Sequence, residues 1–169
     1  ELGNDYHKKF VKHSFAAPLK DFCDEMLGFT QEHREGYLKE TVGLFTVDFY
    51  NLKDLIIKHF GNHPTKPVDI YSAIKIRQTI IDVFWDDFFK KVDSSEEYLH
   101  VSPREVYQKV GTEVMRENYL DSFWIDYLQQ YDLSTTIVGV PDVRFENEAK
   151  IIRKLGGQVT HLERPNVVS

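Results

Sequence analysis

Two residues of opposite charge follow the end of a predicted strand. The apolar, β-branched run at residues 136–140 stops at Pro141, which is typical of a buried strand at its carboxyl edge. Asp142 and Arg144 come next, and alternate residues of an extended chain point to the same side. A carboxylate there can hold a ligand hydroxyl, a water or a metal ion, and an arginine can grip phosphate with two parallel hydrogen bonds. A structural Asp142–Arg144 ion pair is the alternative.

A lysine lies in the predicted turn between the first strand and its helix. Residues 14–20 read Ser-Phe-Ala-Ala-Pro-Leu-Lys, and the two alanines let a ligand approach the backbone. Lys20 falls in the first helical turn, where a cation opposes the helix dipole and an anion is favoured. This placement indicates an anion bound near Lys20. A solvated lysine on an ordinary helix is the alternative.

The helix predicted at residues 102–118 carries an unusual polar face. Ser102, Pro103 and Glu105 form the signature of a capped helix start. A glycine inside a helix costs about 1 kcal/mol relative to alanine, which favours either a ligand or a crossing helix close to the backbone of Gly111. At about 100° per residue, the polar face collects Arg104, Gln108, Gly111 and Thr112.

A tryptophan in the following helix is within reach of that polar face. The helix is predicted at residues 121–131 and contains Trp124. A tryptophan there can form the wall of a ligand site or belong to the core, and both interpretations remain open. Arg104 and Arg144 are the better candidates for clamping phosphate, because a guanidinium group stays protonated and forks toward two oxygens.

Composition and charge narrow the classes of function. The chain has 169 residues, 41% of them hydrophobic, and a formal net charge of -6. This acidic balance argues against a general nucleic-acid or membrane binder, although an anionic small molecule can bind where a few cations converge. The single cysteine, Cys23, excludes an internal disulfide, suits the cytoplasm and has apolar neighbours that predict a packing role. No apolar run is long enough to span a membrane.

The order of predicted elements is that of an α/β protein. Strands separated by helices imply a parallel sheet covered on both faces. The chain is predicted to be one domain, with a core from about 1–28 and 101–169 and a helical insertion or lid at about 29–100. The predicted strands are residues 10–16, 136–140 and 158–164. The predicted helices are residues 18–28, 51–61, 70–92, 102–118, 121–131 and 145–155, with connections at 29–43, 62–69 and 93–101.

Several of these segments together resemble the bacteriophage deoxynucleoside monophosphate kinases, a family of P-loop nucleoside-monophosphate kinases. The matching pieces, in the same order, are FAAPLKDFCDEMLG, SPREVYQKVGTEV, the tryptophan of DSFW, and VPDVRFENEAKIIRKLGGQVTHLERP. They cover roughly half of the chain, and residues 29–100 have no counterpart in the resemblance. The Gly-Thr-Glu and Pro-Asp-Val-Arg-Phe elements are specific as a set and weak alone. The resemblance implies a three-layer fold like that of P-loop NTPases.

The resemblance also implies an activity and a set of site residues. The activity is transfer of the γ-phosphate of ATP, with Mg²⁺, to a deoxynucleoside monophosphate (dNMP). The implied residues near the monophosphate are Lys20 and Arg104. From their guanidinium chemistry, Arg104 and Arg144 are the predicted catalytic cations. Those around the nucleotide are Gly111, Thr112 and Trp124, joined by Gln108 on the same polar face. Those around the base or sugar are Asp142, Arg144 and Glu148.

One element of the family is missing from this sequence. The family's P-loop follows its first strand, yet none of the nine glycines here precedes a lysine. We therefore expect a strand and a Gly-Lys loop ahead of Glu1, where ATP and Mg²⁺ would bind, and a further segment after the last residue. No metal ligand is assigned within this chain.

Two other functions stay open. The first is a nucleotide-binding or regulatory module that has an acceptor pocket and no donor loop. The second is an interaction protein that packs residues 72–91 against a partner. A homodimer is expected from the resemblance alone, and the cytoplasm, of the host cell for a phage protein, is the expected location.

Overall fold

A computed structural model of the chain describes residues 7–90, 97–163 and 165. It is a mixed α/β structure. The strands are β1 (Lys9–Lys12), β2 (Gly43–Thr46), β3 (Phe88–Lys90), β4 (Glu97–Val101) and β5 (Thr136–Gly139). The α-helices are α1 (Ala17–Leu27), α2 (Gln31–Arg34), α3 (Phe49–Phe60), α4 (Ile70–Val83), α5 (Pro103–Gln108) and α6 (Glu146–Lys154). A π-helix, Lys109–Arg116, continues α5, and 3-10 turns cover Trp85–Asp87 and Ile125–Gln130.

A small parallel sheet joins the two halves of the chain. Strands β1 and β5 pair with Lys9 opposite Thr136 and Lys12 opposite Gly139. The His13 N–H extends this ladder by donating to the Gly139 carbonyl at 2.9 Å. Because the strands are parallel, their carboxyl ends lie at the same edge. The turn after β1 therefore lies beside the loop after β5, as the ligand-site prediction requires.

Helix ends follow from local sequence. Pro18 occupies the first turn of α1, and Gly28 ends the helix in the left-handed region at φ 68°. At the start of α5, the Ser102 hydroxyl accepts the Glu105 N–H at 3.3 Å, with Pro103 in the first turn. The predicted helix boundaries at these positions are confirmed. The helices predicted at 51–61 and 145–155 correspond to α3 and α6.

The middle of the chain is not only helical, so the predicted helical insertion at 29–100 is wrong in part. Strand β4 pairs in antiparallel fashion with both β2 and β3, which gives a three-stranded sheet in the order β2-β4-β3. Residues 97–101, predicted as part of a connection, form its central strand, and residues 93–96 lie outside the described part of the chain. Short strands of this kind have no clear local sequence pattern, because they are stabilised mainly by pairing with neighbouring strands.

The long helix predicted over residues 70–92 is wrong beyond Val83. There α4 ends, and after a 3-10 turn Phe88 pairs with Leu99 of β4. Aromatic residues favour strands, and a strand partner satisfies their backbone groups, so tertiary pairing overrides the helical pattern. Residues 91–92 lie outside the described part of the chain.

Three other predicted elements differ from the structure. The strand predicted at residues 158–164 is wrong over the described residues 158–163, which are mostly exposed and have no strand to pair with; residue 164 is not described. The strand predicted at 10–16 ends early, because the chain turns at Phe15. Of the helix predicted at 121–131, only Ile125–Gln130 is helical, as a 3-10 turn.

The main core is formed by helices of the middle segment, residues 29–100, together with helices of the segments before and after it. Buried side chains of α1, α3, α4 and the π-helix meet there, among them Phe22, Ile56, Ile76 and Val110. Cys23 is buried in the same cluster, where burial raises the pKa of its thiol, so its predicted packing role is confirmed. Helices of the middle segment thus share one core with the helix after β1. None of the described helices is both long and apolar enough to cross a membrane.

Candidate functional site

All nine predicted site residues line one cavity of about 530 Å³ at the carboxyl edge of β1 and β5. The turn after β1, the α5 and π-helix segment, and the loop after β5 form its walls. The volume lies in the range of small-molecule sites. The residues that the structure brings together here are Lys20, Arg104, Gln108, Gly111, Thr112, Trp124, Asp142, Arg144 and Glu148.

Asp142 holds the turn after β1. Its Oδ2 accepts the Ser14 hydroxyl at 2.6 Å and the Ala16 N–H at 3.1 Å, and its Oδ1 accepts the Phe15 N–H at 3.1 Å. Charge-assisted hydrogen bonds of this kind fix backbone geometry. Asp142 therefore shapes the site through the backbone, a role that the sequence analysis did not foresee.

Glu148 has a similar backbone role at the start of α6. Its Oε2 accepts the N–H groups of Arg144 at 2.7 Å and Phe145 at 3.0 Å, and its side chain is buried. A glutamate at the third helical position that reaches back to N–H groups before the helix is a known capping arrangement. The resemblance implied contact with the base or sugar. In the structure, this carboxylate orients the segment that carries Arg144.

Arg144 is exposed on the cavity. Within the described residues its guanidinium makes no ion pair and no hydrogen bond, so the alternative of an Asp142–Arg144 ion pair is wrong. The Asp142 carboxylate accepts hydrogen bonds from the turn after β1, and the Arg144 side chain is exposed to solvent. An unpaired guanidinium on a cavity wall is available to an anionic ligand.

The other two predicted cations have protein partners. The Arg104 guanidinium forms an ion pair with Glu40, and the backbone N–H of Arg104 donates to the Lys39 carbonyl at 2.9 Å. Lys20 lies 3.7 Å from a Glu35 oxygen. Burial and the nearby charge of Lys39 lower the pKa of the Lys20 ammonium, while Glu35 opposes them. Both pairs are partly open to solvent, so an anionic ligand can compete for these cations.

Gly111 is the place where two helices cross. A Cβ on Gly111 would lie 2.8 Å from Cδ2 of Leu19 on α1, which is too close for packed carbon atoms. The Trp124 indole N–H donates to the Gly111 carbonyl at 3.0 Å, and the tryptophan is buried. Of the two interpretations of Gly111, the structure supports the helix crossing. Trp124 is a core residue whose surface forms one wall of the cavity, whereas Thr112 and Gln108 are exposed.

Two further cations line the cavity and were missed by the sequence analysis. Arg116 lies at the end of the π-helix, 3.4 Å from Asp121 and with its guanidinium carbon 5.1 Å from the centre of the Phe145 ring. The polar face was predicted for an α-helix, in which residues five apart point in different directions. In a π-helix the hydrogen bonds join residues five apart, so Arg116 comes closer to the side of Gly111. Lys39 lies in a segment with no periodic pattern, and no sequence signal identified it.

The cavity wall carries both cations and carboxylates, and they differ in how free they are to contact a ligand. The five cations are Lys20, Lys39, Arg104, Arg116 and Arg144. The four carboxylates are Glu35, Asp121, Asp142 and Glu148. Two of these carboxylates, Asp142 and Glu148, already accept backbone N–H groups. The wall therefore carries one more cation than carboxylates, whereas the whole chain has a net charge of -6, and this local positive excess favours an anionic ligand.

A protein-held Mg²⁺ does not fit the described part of this cavity. The oxygens of Asp142 are engaged by the turn after β1, and Glu148 caps α6. Among the residues that the structure describes, no group of three or more His, Cys, Asp and Glu side chains is placed to hold a metal ion. The cavity is suited to holding an anion by direct contact.

Comparison with known proteins identifies no family for this chain. No protein-family model matches it, and no curated protein sequence matches it.

Proposed function

We propose that this protein is a dNMP kinase whose cavity binds the acceptor nucleotide. What carries the proposal is the convergence of five cations from separate stretches of the chain on one cavity of about 530 Å³. A compact site with several cations and a few apolar walls suits a small phosphorylated molecule. The three-layer fold of P-loop NTPases is part of the same proposal. The parallel pairing of β1 and β5, which places the site at their carboxyl edge, supports it.

The proposed contacts divide along the cavity. The monophosphate is bound by three cations that lie close together on one side of the cavity, Arg104, Lys20 and Lys39. Arg104 and Lys20 have solvent-accessible ion pairs whose carboxylates a phosphate can replace. Arg144 provides a further guanidinium without a competing partner among the described residues. Gln108 and Thr112 offer hydrogen-bonding groups to the rest of the nucleotide.

The proposed reaction is a phosphoryl transfer. An oxygen of the acceptor monophosphate forms a bond to the γ-phosphorus of ATP, while the bond from that phosphorus to the bridging β–γ oxygen breaks and ADP leaves. No general base is required, because the attacking oxygen is already anionic. The cations of the cavity hold this oxygen in position and offset the repulsion between two phosphate groups. ATP and Mg²⁺ enter the proposal through the family resemblance alone.

The second candidate is a nucleotide-binding module without catalysis. It is favoured by one observation: the residues of the described cavity include no glycine-rich loop that would cradle the β- and γ-phosphates of ATP. Both candidates share the acceptor pocket. They differ in whether ADP is released when ATP, Mg²⁺ and a dNMP are supplied together.

Titration calorimetry with each of the four dNMPs tests the shared pocket. We expect at least one to bind, and Arg144→Ala to weaken binding by about 1.5–3 kcal/mol, the usual effect of losing a hydrogen bond to a charged group. Arg153→Ala is the matched control, since Arg153 is an exposed arginine of α6 that does not line the cavity. Failure of all four nucleotides to bind would overturn the proposed function. A coupled ADP-release assay then separates the kinase from the binding module.

A further inference from the structure

Four aromatic side chains line the cavity, and they differ sharply in how much ring surface is open. Phe15 is 4% exposed, Tyr107 is 6% exposed and Trp124 is 7% exposed, whereas Phe145 is 52% exposed. A flat ligand group can stack only on ring surface that the protein has not already covered. Among the described residues of the cavity wall, Phe145 is therefore the one aromatic ring with a large open surface.

The Trp124 ring is already used by the protein. It packs against the rings of Phe123 and Phe60 at centroid distances of 4.8 and 5.8 Å, and lies parallel to the Tyr127 ring at 6.5 Å. Its indole N–H is bonded to the Gly111 carbonyl. Tyr107 is similarly engaged, because its hydroxyl donates to Asp24. Neither residue can offer a ring face to a ligand without disturbing the core.

Phe145 is exposed and yet held in place. The Arg116 guanidinium lies over its ring at 5.1 Å from the centroid, and Arg116 is itself within 3.4 Å of Asp121. The Phe145 N–H is bonded to the Glu148 carboxylate, which fixes the backbone at the start of α6. A cation stacked on an aromatic ring stabilises the ring position. The result is a positioned aromatic surface at the cavity wall.

We propose that Phe145, backed by Arg116, is the stacking platform for the nucleobase of the bound nucleotide. The inference rests on the proposed function, and it names a base-binding residue that the family motifs do not assign. Every nucleobase has a π-face, so a platform of this kind provides affinity with little choice among bases. Arg104 lies in the first turn of the helical segment that ends at Arg116, so the cation proposed for the phosphate and the ring proposed for the base line different parts of one cavity.

Ligands with and without a base test this assignment. Binding of the four dNMPs and of 2-deoxyribose 5-phosphate is measured for the wild type and for Phe145→Leu, which keeps an apolar side chain and removes the ring. Phe145→Tyr keeps the ring and is the conservative variant. Tyr50→Leu is the matched control, since Tyr50 is a highly exposed aromatic residue of α3 that does not line the cavity.

We expect Phe145→Leu to weaken dNMP binding roughly tenfold to a hundredfold. Binding of 2-deoxyribose 5-phosphate should stay unchanged, and Phe145→Tyr should bind dNMPs like the wild type. Wild-type dNMP affinity in Phe145→Leu would overturn the assignment. Equal losses for dNMPs and for the base-less sugar phosphate would overturn it as well, because the ring would then act on the whole cavity. A wild-type chain that binds the sugar phosphate and dNMPs equally would exclude a base platform while leaving a phosphate site. A wild-type chain that binds no dNMP would overturn the proposed function itself.

Discussion

Asp142 and Ser14 are joined by a hydrogen bond of 2.6 Å from the serine hydroxyl to the aspartate Oδ2. The same carboxylate accepts the N–H groups of Phe15 and Ala16, so one side chain closes the turn after β1 from the loop after β5. The two segments are 128 residues apart in sequence. This link fixes the edge of the parallel sheet at which the cavity opens.

Replacing Asp142 with asparagine should destabilise the fold. The amide keeps one acceptor oxygen but turns a donor toward N–H and O–H groups, so at least one partly buried donor loses its bond. We expect the free energy of unfolding to fall by about 1–3 kcal/mol, as measured by urea denaturation. Ser14→Ala should cost less, about 0.5–1.5 kcal/mol. The double variant should lose less than the sum, since the two changes remove one shared bond.

Asp54→Asn is the control for this comparison, because Asp54 is exposed and its nearest cation is the neighbouring Lys53 at 3.8 Å. It should leave stability within about 0.5 kcal/mol of the wild type. If Asp142→Asn behaves like this control, then the carboxylate does not hold the turn and its importance lies with the ligand.

Replacing Gly111 should disturb the contact between two helices. Gly111→Val places side-chain atoms against Leu19, and we expect the overpacking to cost about 1–3 kcal/mol in urea denaturation. Shortening the neighbour relieves the clash, so Leu19→Val in the same chain should recover part of the loss. If the double variant is no more stable than Gly111→Val, the glycine is required for another reason, such as the close approach of a ligand.

The ion pair between Arg104 and Glu40 should compete with the proposed monophosphate. Arg104→Ala should weaken dNMP binding by about 1.5–3 kcal/mol because it removes a charged donor. Glu40→Gln should strengthen binding roughly twofold to fivefold, since it frees Arg104 without replacing it. Calorimetry at low and high salt measures both changes. Unchanged affinity in Arg104→Ala would remove this residue from the site.

His63 should make the fold sensitive to mild acid. Its Nε2 lies 2.7 Å from the Phe123 carbonyl, and its Nδ1 accepts the Lys66 N–H at 3.1 Å, so the ring is neutral with its proton on Nε2. Burial lowers the pKa of His63 below its ordinary value of 6.5. As the pH falls, the His63 ring is therefore protonated at a higher pH in the unfolded chain than in the folded one. The contribution of His63 is complete above that ordinary value and is lost as the pH falls through it toward the folded pKa.

Urea denaturation from about pH 5 to about pH 8 measures this effect. His63→Gln should be less stable at neutral pH but should have a flatter profile below about pH 6.5. Some slope should remain, because burial also lowers the pKa of His13. His161→Gln, at an exposed position, is the control and should follow the wild-type profile. An equal slope in His63→Gln and the wild type would contradict the assignment.

Local signals accounted for the elements nearest the cavity. The proline and glycine at the ends of α1, the serine cap of α5 and the β-branched run of β5 act within a few residues, so a single sequence is enough to identify them. Helical spacing also identified Arg104 and Gln108 of α5 and Gly111 and Thr112 of the π-helix as one face, and all four line the cavity. The central β2-β4-β3 sheet was missed because strand pairing depends on distant partners, which short segments do not specify.

The sequence by itself indicated that the turn after β1 and the loop after β5 carry site residues, because the carboxyl ends of strands in a parallel sheet lie at the same edge. Only the tertiary structure decided what each side chain does there. Asp142 and Glu148 bond to backbone N–H groups, whereas Arg144 stays open to the cavity. These roles depend on three-dimensional distances between segments far apart in the chain. A spacing of residues along the sequence does not contain those distances.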